Sequence, residues 1–182
     1  MTINRINQYG KQIEEIVKQR LNMESVSNSQ DIIDKIDGIL DGDSVQIKHT
    51  NGNVIHLQIL KHYNIGQQIS EQMLCSHHNC GDALRCIAKY YLFCFPRNRH
   101  ILVVPTFIIK TLIKNVVYKL NKVGGTLPYF NDRHQRDYFT LIQYQAYLTC
   151  KLDHRNNEYN LLFNLNYDFL LRYSQRVIPC EF

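Results

Sequence analysis

Two dipeptides constrain this chain more than any other feature. Asp41-Gly42 and Asn51-Gly52 each separate apolar, β-branched runs, and tight hairpins favour these residues because both central positions need a positive φ. With Asp41-Gly42 as the turn, Leu40 pairs with Asp43, Ile39 with Ser44 and Gly38 with Val45, and Asp37 falls opposite Gln46. Opposite residues share a face and strand side chains alternate. Asp37, Gln46 and Lys48 are therefore predicted to converge on one side of the hairpin while Val45 and Ile47 pack on the other. With Asn51-Gly52 as a second turn, Asp31–Leu40, Ser44–Thr50 and Val54–Leu60 make a three-stranded antiparallel meander.

The flanking sequence supplies helices. Ile6, Tyr9, Ile13, Ile16, Val17 and Leu21 recur at helical spacing, predicting an amphipathic opening helix, and the Ser-rich Ser25–Gln30 reads as a loop. Ile65–Phe95 is predicted helical in two pieces broken near Asn79–Gly81 and ended by Pro96. His100–Val104 is a short continuous apolar run, the pattern of a strand buried on both faces. Helical spacing returns over Thr106–Leu120 and stops before Gly124-Gly125. Asp132 with Gln135 resembles a capping box for a helix through Tyr138, Leu141 and Ile142, and Tyr159–Arg176 fits helix or strand. The expected class is α/β: a mixed sheet with an antiparallel meander, flanked by helices.

Composition narrows the partners. With 182 residues, 45% of them hydrophobic and 20% charged, the chain has material for one core and is predicted to form a single domain, 1–182, which excludes a disordered or low-complexity chain. No apolar stretch approaches the ~20 residues that cross a bilayer, and Met1–Gln8 lacks the basic start and apolar centre of a secretion signal, so a soluble, intracellular (cytoplasmic) protein without membrane contact is expected. Six cysteines spread unevenly over a chain of this size are expected to be reduced. Cys75, His77, His78, Cys80 and Cys86 carry zinc-type donors, but at irregular spacing with no paired C-x₂-C, and Cys86 and Cys94 read as small core residues. The formal net charge of +5 favours an anionic partner without specifying it.

The hairpin face is the informative constellation. A carboxylate and an amide oxygen can hold Mg²⁺, with Mn²⁺ as a substitute, while an ammonium steadies the charge that develops on a phosphodiester under attack. Asp34 competes with Asp37 for the acidic role, but an offset of three puts the two on opposite faces of a regular strand. On the opening helix, at about 100° per residue from Ile13, Glu14 lies at about 100°, beside Leu21, whereas Glu15 lies at about 200°, opposite the apolar stripe. Gly10, one turn before Glu14, lets that helix approach a sheet closely.

A helix with Glu, a strand with Asp, then a strand with Glu or Gln, any residue and Lys resembles the PD-(D/E)xK nuclease superfamily, which includes type II restriction enzymes and one class of homing endonuclease. The matching residues are Glu14, Asp37 and Gln46-Ile47-Lys48, over roughly Tyr9–Leu120. Gln in place of Glu has precedent among the homing enzymes and removes one negative charge from the metal site. The resemblance implies a restriction-endonuclease-like core at about 9–120, with 121–182 elaborated for DNA recognition or dimerisation. It further implies Mg²⁺-dependent site-specific cleavage of double-stranded DNA by a homodimer or homotetramer. Asp37, Gln46 and Glu14 would be the metal residues and Lys48 the fourth catalytic group. Arg97, Arg99, Lys110, Lys114, Lys122, Arg133 and Arg136 are candidate DNA contacts. A DNA-binding or assembly subunit that kept the fold without catalysis, and a structure-specific repair or junction nuclease, are the alternatives.

Overall fold

The structure, a computed structural model, describes residues 3–64, 67–76, 78–122, 139–142, 146–153 and 158–182. In chain order these form α1 (Ile3–Arg20), a π-helical turn (Gln30–Asp34), β1 (Gly38–Leu40), β2 (Asp43–His49), β3 (Val54–Tyr63), α2 (Glu71–Cys75), α3 (Asp82–Arg85) and β4 (Tyr90–Phe95). A 3₁₀ turn (Pro96–Asn98), β5 (His100–Pro105), α4 (Thr106–Lys122), β6 (Phe139–Ile142), β7 (Ala146–Asp153), β8 (Glu158–Asn166), α5 (Tyr167–Tyr173) and β9 (Arg176–Pro179) follow.

The chain divides into two compact units. The first gathers Met1–Ile55, Cys86–Thr106 and Leu170–Phe182, and the second His56–Arg85 and Phe107–Phe169. The first holds a five-stranded mixed sheet in the order β1-β2-β4-β5-β9, in which β2 and β4 run parallel and the other neighbours antiparallel. Ile13 and Val17 of α1 pack on one face of this sheet against Val45, Ile47, Leu92, Cys94, Ile101 and Val103, and Cys180 closes the cluster. The second unit holds a sheet in the order β3-β8-β7-β6, where Gly81 approaches the backbone of Gln58 so closely that a Cβ would lie 2.2 Å from its carbonyl oxygen. The molecule is thus an α/β protein with one mixed sheet and one antiparallel sheet.

The hairpin forms in the predicted register: Gly38 faces Val45, Ile39 faces Ser44 and Leu40 faces Asp43. Asp41 and Gly42 both take positive φ, 52° and 83°, as the two-residue turn requires. The strand leading into it is shorter than Asp31–Leu40. Ser27 N–H donates to Gln30 Oε1 and Asp31 N–H to Ser27 O, so local bonds close a turn in place of a ladder. Lys35 then reverses the chain in left-handed conformation at φ 58°.

The meander does not form. β3 lies beside β8 in the other sheet, and the place next to β2 is taken by β4, from the stretch predicted to be helix. Tyr90-Tyr-Leu-Phe-Cys-Phe95 is buried at five of its six positions, and a strand buried on both faces has no alternation to separate it from a short buried helix. Among the described residues of that stretch, helix is confined to α2 and α3. β5 and α4 form where predicted, α4 running on to Lys122. Phe139–Ile142 is strand, not the C-terminal part of a capped helix; residues 123–138, with the candidate cap and Gly124-Gly125, lie outside the described residues. Tyr159–Arg176 contains most of β8, all of α5 and the first residue of β9.

Candidate functional site

β1 ends where the chemistry begins. An uninterrupted register would place Ile36 opposite Ile47, but Ile36 N–H is bonded to Gln30 O in the preceding turn. Ile47 N–H, pointing to that side, is therefore left without a strand carbonyl, and the Asp37 carboxylate takes its place: Oδ2 accepts from Ile47 N at 2.5 Å and from Gln46 Nε2 at 2.5 Å. Asp37 N–H still reaches Val45 O at 2.8 Å. Asp37 and Gln46 are 6% and 5% exposed, a carboxylate and an amide that burial would penalise unless bonded.

The amide is only half satisfied. Its nitrogen faces the carboxylate, which fixes the orientation, and Oε1 is buried with no hydrogen-bond partner. Such an orphan beside a buried carboxylate is a donor set with one acceptor unused. Asp37 is pushed up to about 6, chiefly by burial; the Ile47 bond and the Lys48 charge pull it down and the Glu14 charge adds to the rise. Lys48, half-buried, follows Gln46 on the same face by strand alternation and adjoins Asp37 electrostatically.

Glu14 arrives from the other side. Val45 and Ile47 pack against α1, so α1 covers the face opposite Gln46 and Lys48. Glu14 is half-buried and Glu15 exposed, as the helical wheel requires. Glu14 Oε1 accepts from Lys18 Nζ at 2.6 Å. Burial alone would lower the Lys18 ammonium, but the bond to Glu14 and the carboxylate charges outweigh it and raise its pKa. Asp37 and Gln46 touch, with Lys48 next to them; Glu14 acts on Asp37 through its charge. Asp34 sits on the π-helical turn, where its backbone carbonyl accepts from Ile87 N–H at 3.0 Å.

His49 was not singled out in the sequence. Its ring lies over Gly10, whose added Cβ would come within 2.8 Å of Nε2, and Tyr9 meets it edge-on at 6.1 Å. Nδ1 is buried without a partner, and burial followed by the Lys48 charge lowers its pKa, so the ring is neutral near pH 7. Gly10 was the available signal: the close approach it permits is filled by the residue after Lys48. In the second unit, fully buried Asn164 accepts from exposed His56 Nδ1 and donates to Tyr147 O and Thr149 Oγ1, which fixes the histidine tautomer.

The remaining candidates lie on other elements. Arg97 and Arg99 are exposed at the β4–β5 turn, at the end of the sheet that Lys48 and His49 approach. Lys110, Lys114 and Lys122 lie on α4, while Arg133 and Arg136 are outside the described residues. Cys86 is buried, its Sγ donating to Lys35 O, and Cys94 lies in the core, as their reading as small core residues expected. Among the described residues no three His, Cys, Asp or Glu side chains converge as a metal site, and His77 is outside them. No family model, curated protein or solved structure matches the chain.

Proposed function

We propose that this chain is a divalent-metal-dependent endonuclease of double-stranded DNA, of homing or type II restriction type, with a restriction-endonuclease-like site at Asp37, Gln46 and Lys48. The single observation that carries the reading is the buried Asp37 carboxylate adjoining a buried Gln46 whose Oε1 has no partner. These two residues fit a hard, oxygen-seeking ion. They would hold Mg²⁺ or Mn²⁺, with Glu14 contributing charge from the other face. When bound, such an ion supplies charge neutralisation at a phosphoryl oxygen. Lys48 faces the same side and would stabilise the added negative charge on phosphorus, a role suited to a compact ammonium. Cutting both strands calls for two such sites, so the working form is expected to be a homodimer or homotetramer.

One observation favours a second reading. The Asp37 carboxylate already serves the β2 edge as a substitute for a strand carbonyl, a role that a non-catalytic DNA-binding or assembly subunit would also need. A repair or junction nuclease would share the site and read DNA shape. Purified protein incubated with plasmid and genomic DNA, with Mg²⁺ or with chelator, separates the three: discrete bands, no cleavage, or nicking confined to branched substrates. Asp37→Ala and Lys48→Ala are expected to abolish metal-dependent cleavage and keep binding. Undiminished cutting by both variants overturns the assignment.

A further inference from the structure

We infer that the solvent face of α4 is a duplex-DNA-binding surface, with Phe107, Lys114, Tyr118 and Lys122 as its centre. The inference rests on the nuclease reading for its partner but concerns another part of the chain. At about 100° per residue, Ile109, Ile113, Val116, Val117 and Leu120 fall within about 100° of arc, and all five are buried. Phe107, Thr111, Lys114, Tyr118 and Lys122 fall within about 80°, centred on the opposite side. A helix face turned away from its core is normally polar. Here it carries two largely exposed aromatic rings, Phe107 at 67% and Tyr118 at 62% exposure, Tyr118 also bordering a cavity lined by Val116, Ala146, Phe163 and Phe169.

Its charge has one sign. Of the four lysines of α4, Lys114 and Lys122 lie on this face and Lys110 and Lys119 flank it, with no Asp or Glu on the helix to balance them, and Lys122 Nζ stands 5.2 Å over the Tyr118 ring. Charge complementarity selects a polyanion, and exposed apolar rings on the same face as Lys114 and Lys122 suit one whose groove offers apolar sugar and thymine-methyl surface next to its phosphates. A convex helix about 25 Å long matches the major groove, which admits an α-helix. A membrane surface fits less well: lipid binding uses the apolar face of an amphipathic helix, and that face is buried here.

The test is anisotropy binding of a labelled mixed-sequence 30-bp duplex to the full chain in chelator, titrated with salt. Lys114→Gln/Lys122→Gln is expected to reduce the slope of log affinity against log salt by about 2, since each phosphate contact contributes about 0.9. The matched-charge variant Lys11→Gln/Lys151→Gln, altering two exposed lysines elsewhere, is expected to leave it unchanged. Phe107→Ala, at an exposed position that keeps the fold, is expected to weaken binding several-fold at constant slope, because it removes an apolar groove contact and no charge. Equal slopes for the two double variants, or binding to phosphatidylserine vesicles in preference to duplex, overturns the inference. Wild-type cleavage by the α4 variants with unchanged binding removes this surface alone. Slope loss in a protein that never cleaves with Mg²⁺ removes only the nuclease reading.

Discussion

Asp37 shows how one side chain can be held against its own preference. Its carboxyl is raised to about 6 from an ordinary 3.8, so the folded state binds this proton more tightly than the unfolded chain does. Stability from this group is therefore greatest below pH 4 and is lost as pH rises through 6, by about 3 kcal/mol at most. Asp37→Asn, which keeps an acceptor for Ile47 N–H, is expected to be more stable than the wild type at pH 7 and indistinguishable near pH 4. Urea unfolding across pH 4–7 checks this, and a constant difference over the range would contradict it. Gln46→Glu is expected to act oppositely, lowering the melting temperature in chelator by placing a second carboxylate beside the first and enlarging the rise on Mg²⁺ addition. In the wild type, Mg²⁺ at about 100 times its dissociation constant is expected to add about 2.7 kcal/mol at pH 7. Asp37→Ala should show no such gain in calorimetric melting.

At the scale of elements, helix α1 is fixed to β2 by a fit that a single methyl would spoil. Gly10→Ala gains helix propensity of about 1 kcal/mol, yet its Cβ would press on His49 Nε2 at 2.8 Å, and overpacking costs about 1–3 kcal/mol. A net loss of about 1 kcal/mol is expected from chemical denaturation, and His49→Ala in the same chain should restore the Gly10→Ala protein to the His49→Ala level or above. If Gly10→Ala costs as much with and without the imidazole, the ring is not what the glycine accommodates. The hairpin was legible here because its turn chemistry is local: Asp41-Gly42 sets the register of Gly38–Leu40 on Asp43–Val45 whatever lies around it. The partner on the other side of β2 was not legible. Gln46 pairs with Tyr91, 45 positions further along the chain, and nothing in either segment names the other.

On the scale of the whole molecule, the first unit is assembled from three separated stretches of chain. β9 completes the sheet against β5, Gln175 N–H bonds Val103 O at 2.9 Å, and Cys180 and Phe182 enter the packing around Ile13 and Val17. Deleting 174–182 is expected to abolish the cooperative melt of this unit, followed by near-ultraviolet circular dichroism; an unchanged transition would show that the end of the chain is dispensable. The sequence by itself determined α1, the β1–β2 hairpin with its register, β5 and α4, and the choice of Glu14 over Glu15 as the half-buried acid. Each depends on spacing or turn residues within a few positions. Only the tertiary structure decided that β3 leaves for another sheet, that β4 stands in its place, and that Asp37 caps an edge left open by a π-helical turn. Those outcomes depend on which distant apolar runs bury one another, and hydrophobic burial is non-directional and carries no address.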